Sequence, residues 1–154
     1  MDISDSIVTG SAEETSRFGS TLARDLVHLG QGSTARVLCL YGNLGSGKTT
    51  FTQGFARELG IHARLLSPTF IIVRRYTIPN SEEQLFHIDL YRLEESAVTD
   101  ELGLSEILSD PAAYVVIEWA EKLADLLPSK RIDIHFSVDT DGKHRIFMQH
   151  YGKH

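Results

Sequence analysis

The sequence predicts an α/β domain of three layers built on a mixed parallel and antiparallel sheet. Three observations carry that reading. Two continuously apolar runs, 36–41 (RVLCLY) and 113–119 (AYVVIEW), have the character of strands covered on both faces. The first leads into a glycine-rich turn and then a helical pattern, the order of a parallel strand–helix unit. Two pairs of shorter runs, 70–77 with 85–90 and 131–138 with 144–149, face each other across polar turns as hairpin strands do.

Taken in order, residues 3–8 read as a short edge strand. Ser11 with Glu14 has the form of a capping box, and Phe18, Leu22, Leu26 and Leu29 follow at helical spacing with Ala23 and Val27 beside them. Gly30 and Gly32 end that helix. After the strand 36–41 and its turn, a second helix spans about 48–59, with Phe51, Phe55 and Leu59 on one face and Gly60 at the C′ position. Ser67, Pro68 and Thr69 form a turn into the strand 70–77, and the polar turn 79–83 returns the chain as the strand 85–90. Beyond Tyr91, Arg92 and Leu93 the stretch 94–100 is polar; Leu102, Leu104, Ile107 and Leu108 then make a short helix that stops before Pro111. The second buried strand, 113–119, carries a carboxylate at its C-terminal end, and 120–127 reads as a short helix ending at Pro128. The segments 131–138 and 144–149 form a hairpin across the turn 139–142. The sheet is expected to be parallel near the glycine-rich turn and antiparallel toward one side. Ligands of such sheets lie outside the carboxyl ends of the strands, which places Tyr41, Gly42, Asp89 and Glu118 on one rim.

Composition narrows the class. At 154 residues the chain has the length of a single domain, 1–154, able to bury one core. Its hydrophobic fraction of 42% and charged fraction of 23% are those of an ordinary soluble protein. No apolar run reaches membrane-spanning length, and the first residues lack a basic and an apolar signal region, so a cytoplasmic protein with no membrane partner is expected. The lone cysteine, Cys39, sits inside an apolar run and reads as core filler. A net charge of −6 argues against a chain that grips nucleic acid by itself, because phosphate-backbone affinity comes mostly from clustered Lys and Arg. Any RNA would be held through something else.

The chemistry concentrates at residues 42–49, GNLGSGKT, which fit G-x-x-x-x-G-K-[ST] without a mismatch and have the required strand before and helix after. Wrapping backbone N–H groups around phosphate oxygens needs glycine at Gly42, Gly45 and Gly47, where side chains would block the approach or forbid the dihedrals. Lys48 reaches the β- and γ-phosphates, Thr49 offers a hydroxyl to Mg²⁺, and the helix that starts there points its positive dipole end at the anion. Gly42, Asn43, Leu44, Gly45, Ser46, Gly47, Lys48, Thr49 and Thr50 are therefore the expected nucleotide-binding set of a P-loop NTPase-like domain.

Such a loop needs a second carboxylate, at the end of an apolar strand, for the metal or its water. Glu118 follows the cleaner buried strand and takes the metal role with Thr49; Asp89 orients or activates the attacking water, or takes the metal role instead. His87, two residues before Asp89, faces the same side of its strand and either tunes that carboxylate or is structural. Trp119 packs on the nucleotide, on a neighbouring loop or in the core. Arg74, Arg75 and Arg92 are candidates for stabilising charge on the γ-phosphate, with surface pairing the role of at least two of them. No N-K-x-D guanine-reading motif is present, and the D-x-x-G at 100–103 follows a polar run instead of a strand, so ATP is favoured over GTP.

GNLGSGKTTF at 42–51, SPTF at 67–70, HIDLYR at 87–92, LG at 102–103 and IEW at 117–119 together resemble the successive signatures of the TsaE (YjeE) family, small bacterial P-loop ATPases of tRNA threonylcarbamoyladenosine synthesis. The resemblance runs from the first helix to about Glu121. It implies binding of ATP and Mg²⁺, weak hydrolysis alone, and action with the TsaB–TsaD heterodimer, which modifies the adenosine beside the anticodon of tRNAs that read codons beginning with A. It further implies that the positions of Thr49 and Glu118 contact the metal, that Asp89 matters for hydrolysis, and that Thr69 lies in a segment responsive to the nucleotide. Asn43 and Ser46 depart from the common family form, G-D-L-G-A-G; Asn43 removes one carboxylate beside the site.

Three functions fit these residues: an ATPase subunit that resets a tRNA-modifying complex, a small-molecule kinase of the P-loop class, and a nucleotide-gated binding module with negligible turnover. Against the kinase stands the lack of an arginine-rich lid segment after the central strands.

Overall fold

The computed structural model describes residues 4–65, 73–91 and 103–152. In chain order these form β1 (Ser4–Thr9), α1 (Ala12–Leu29), β2 (Arg36–Tyr41), α2 (Lys48–Glu58), β3 (Val73–Thr77), β4 (Gln84–Asp89), α3 (Leu104–Leu108), β5 (Ala113–Glu118), a 3₁₀ run (Ala120–Leu126), β6 (Arg131–Val138) and β7 (His144–Tyr151). The expected turn at 67–69, with Thr69, the start of the strand expected from residue 70, Arg92 and the polar stretch 94–100 lie outside the described residues.

The seven strands form one sheet in the order β1-β7-β6-β2-β5-β4-β3. β2 lies between β5 and β6 and is parallel to both, and β4 is parallel to β5. Antiparallel pairing flanks this centre on both sides, through β6–β7–β1 at one edge and β3–β4 at the other. The expectation of antiparallel strands on one side only is thus corrected: each hairpin keeps one strand parallel to the centre, and the two hairpins attach to opposite edges.

Layering follows from strand alternation. On one face Leu38 and Leu40 of β2, Val116 of β5 and Ile134 of β6 pack beneath Leu22 and Leu26 of α1 and Phe51 and Phe55 of α2. On the other face Val37 and Cys39 of β2, Val115 and Ile117 of β5 and Ile88 of β4 are covered by Leu104 of α3 and Leu123 of the 3₁₀ run. Every residue of β5 is buried, which explains its unbroken apolar run.

α1 begins at Ser11, whose hydroxyl accepts from the Glu14 N–H at 3.2 Å. The carboxylate of Glu14 reaches one residue further back than a capping box requires and takes the N–H of Gly10. α1 and α2 touch backbone to backbone: a Cβ on Gly19 would stand 2.1 Å from the carbonyl oxygen of Phe51, and one on Gly54 would stand 2.0 Å from that of Ser16. Beyond β5 the expected helix 120–127 is a 3₁₀ run instead, interrupted at Ala124 (φ 47°, ψ −117°), because the short pieces on either side of the break, 120–123 and 125–126, are too few residues for α-helical pairing.

Candidate functional site

The end of β2 and the start of α2 are joined by residues 42–47, whose backbone only glycine can follow at three points: Gly42 (φ 148°), Gly45 (79°) and Gly47 (111°) lie at positive φ. Space gives a second reason at Gly42, where a Cβ would meet the Phe136 carbonyl oxygen at 2.7 Å and Ser46 Oγ at 2.8 Å. Asn43, Leu44 and Gly45 are exposed, while Ser46 is buried with no partner for its hydroxyl among the described residues. The Ser46 N–H turns inward to the Asn43 carbonyl at 3.2 Å. Thr49 and Thr50, in the first turn of α2, are exposed and half-buried.

Lys48 is only 5% exposed, an unusual place for an ammonium group with no carboxylate partner among the described residues. Its Nζ donates to the Gly42 carbonyl and lies 4.3 Å from the centre of the Trp119 ring. Trp119 is brought there by left-handed backbone (φ 60°), a conformation a bulky residue adopts only at some cost. The Tyr91 ring stands 5.0 Å from the indole and completes this wall. Of the uses expected for Trp119, the structure shows contact with the loop lysine and a neighbouring turn.

Asp89 and Glu118 are register partners on adjacent strands, so their carboxylates leave the same face of the sheet as α2. Asp89 is 8% exposed and accepts from the Tyr91 N–H at 2.9 Å; Glu118 is 3% exposed. His87 is fully buried, and its Nε2 lies 2.6 Å from Glu118 Oε2. The carboxylate that His87 meets is thus not the neighbour on its own strand, Asp89, but the one across the strand pair. Arg74 faces the same side as His87, its Nε buried with no partner among the described residues, while Arg75 is exposed on the edge strand.

Burial also sets the chemistry of the strand behind the loop. It pushes the Cys39 thiol up to about 12, with Asp133 adding to the effect, so the thiol is inert core filler. Burial likewise raises the Tyr41 phenol, whose ring stacks on His135 at 4.6 Å.

Among the described residues no group of three or more His, Cys, Asp or Glu is placed to hold a metal. A Mg²⁺ ion here would depend on the Thr49 hydroxyl, a single carboxylate, water and phosphate oxygens, the sparse protein ligation this ion accepts. The cradle of three positive-φ glycines ending in a buried ammonium fits a phosphate group.

The family model for the threonylcarbamoyl adenosine biosynthesis protein TsaE matches residues 9–146. The chain belongs to the TsaE family. The TsaE protein of Treponema pallidum is 35% identical over 139 residues, covering 90% of this chain and 96% of that protein. The TsaE protein of Bacillus subtilis is 43% identical over 98 residues, covering 64% of this chain and 59% of that protein. The crystal structure of Bacillus subtilis YdiB superposes with a TM-score of 0.76 at 30% identity, over 99% of this chain and 88% of that one. TsaE membership places the chain in tRNA threonylcarbamoyladenosine biosynthesis and confirms the P-loop-like α/β architecture. The model takes in α1 and most of the C-terminal hairpin, so the TsaE resemblance extends beyond the signatures that end near Glu121.

Two contacts of the loop went unforeseen. His144 at the start of β7 approaches the Ser46 carbonyl oxygen with Nδ1 at 2.8 Å, and Thr15 of α1 lies against Gly47. His144 and Ser46 are 98 residues apart, and nothing local to either predicts their meeting. No helix among the described residues is long and apolar enough to cross a membrane.

Proposed function

We propose that this chain is a Mg²⁺-dependent ATPase subunit of the cytoplasmic machinery that makes threonylcarbamoyladenosine in tRNAs reading ANN codons, acting with the TsaB–TsaD heterodimer and reaching tRNA through it. The observation that carries the reading is the joint placement of a glycine-formed cradle, a buried Lys48 and two register-paired carboxylates at one end of the parallel strands.

In this reading residues 42–50 surround the phosphates with N–H groups and Trp119 packs against the nucleotide. Lys48 exchanges the Gly42 carbonyl for phosphate oxygens and stabilises the charge that develops on them. Thr49 and Glu118 hold Mg²⁺, which when bound neutralises phosphate charge. With Glu118 ionised, His87 Nε2 donates to its Oε2 and fixes the carboxylate while leaving Oε1 available. Asp89 orients and activates the attacking water. The negative net charge agrees with a chain that leaves tRNA binding to its partners.

The test is phosphate release from ATP and Mg²⁺ by the purified chain, alone and with a TsaB–TsaD pair from the same source. A low basal rate that rises with the pair and collapses in Lys48→Ala supports the proposal. A rate indifferent to the pair removes the partnership, and phosphate appearing on a metabolite instead of in water restores the kinase alternative.

A further inference from the structure

We propose that His144 is a positioning residue of the phosphate loop: its Nδ1–H holds the Ser46 carbonyl and thereby aims the Gly47 N–H into the cradle. The inference rests on the nucleotide-binding reading and assigns a role to the C-terminal hairpin.

The argument begins with β6, which is parallel to β2 and so delivers its C-terminal end, and the turn into β7, to the sheet end where the loop lies. His144 is the first residue of β7, and its Nδ1 lies 2.8 Å from the Ser46 oxygen. A carbonyl oxygen only accepts, so Nδ1 carries the proton. The peptide unit between Ser46 and Gly47 is planar and trans, which makes its C=O and N–H point in opposite directions. Holding the carbonyl outward toward β7 therefore turns the Gly47 N–H inward, where a phosphate oxygen would be met. Among the described residues no loop or cap hydrogen bond uses that N–H.

Gly47 needs such a hold because glycine rotates freely. At φ 111° it occupies backbone that other residues rarely adopt, but nothing in its own structure keeps it there. Its surroundings do. A Cβ at Gly47 would stand 3.4 Å from Thr15 Cγ2 and 3.5 Å from His144 Nδ1, so α1 and β7 close on the residue from outside the loop. These two elements are themselves joined: Thr9, the register partner of His144 on β1, shares a 2.7 Å buried hydrogen bond with Thr15. The hydrogen bond from His144 is thus part of a bracket spanning β1, α1 and β7.

Preorganisation of this kind raises affinity for the phosphates without belonging to the reacting groups. His144→Ala is expected to raise both the ATP dissociation constant and KM about five- to tenfold, the scale of one hydrogen bond, with kcat changed less than twofold. His144→Asn keeps an N–H near Nδ1 and should restore most of the affinity; His144→Phe keeps the ring volume without the donor and should not. In ¹⁵N-labelled apoprotein the Gly47 amide resonance should move in the Ala and Phe variants and return in Asn, a readout independent of turnover. Unchanged ATP affinity in both Ala and Phe, or a failure of Asn to recover what Ala loses, overturns the inference. Wild-type protein that binds no ATP overturns the nucleotide reading itself, whereas tight wild-type binding with indifferent variants removes only the role of His144.

Discussion

Glu118 reaches the rim with one carboxylate oxygen already engaged, because His87 lies beneath it on the neighbouring strand with Nε2 at 2.6 Å. An amide in place of the carboxylate loses a negative charge and sets either an N–H or a weaker acceptor against that imidazole. Glu118→Gln is therefore expected to raise the Mg²⁺ concentration for half-maximal hydrolysis about 10- to 100-fold while changing ATP affinity little, as measured by paired Mg²⁺ and nucleotide titrations. An unaltered Mg²⁺ titration would move the metal role to Asp89. Glu118 could be read from sequence because a carboxylate ending an apolar strand is a local pattern. Its imidazole partner could not, since alternation along β4 tells which side His87 faces but not which residue of β5 stands beside it.

At the scale of elements, α1 and α2 were legible from apolar spacing, but their closeness was not. Nothing in the sequence singles out Gly19 and Gly54, and only the assembled pair shows that each admits the other helix's backbone. Gly54→Ala would place a Cβ 2.0 Å from the Ser16 carbonyl oxygen, so the helices must separate. The expected loss is about 3 kcal/mol, seen as a lower urea midpoint with an unchanged slope. A shift below about 0.5 kcal/mol would show that α1 slides aside without strain. Because α2 starts at Lys48, the same variant should also loosen nucleotide binding. The break at Ala124 escaped sequence reasoning for a different cause: alanine favours helix, and nothing in its side chain marks the positive φ of 47° that it adopts here.

For the molecule as a whole, β2 and β5 were identifiable because strands covered on both faces are written as unbroken apolar runs. The edge that receives β6 and β7 was not, since a hairpin's own pattern is the same on either side of a sheet. The outcome places β2, with Cys39, in the interior of seven strands. Cys39 thus becomes a reporter of complete opening. A thiol reagent at pH 8 should modify it only through unfolding, since the group is fully buried and its pKa is pushed up to about 12. ATP with Mg²⁺ at one hundred times its dissociation constant should slow that modification about 100-fold by mass action. Rapid labelling of the folded chain, or labelling indifferent to saturating nucleotide, would contradict this.

The partnering of β1 with β7 and the hold of His144 on Ser46 also order events in time. A chain emerging from the ribosome at roughly 5–20 residues per second takes about 5–20 s to extend from Ser46 to the histidine 98 positions later. Throughout that interval the nascent polypeptide displays a finished glycine-rich motif whose central peptide nothing yet steadies, and its first strand waits without a neighbour. Under the proposed role of His144, full affinity for a nucleotide therefore comes with the distal hairpin, long after residues 42–49 have been made.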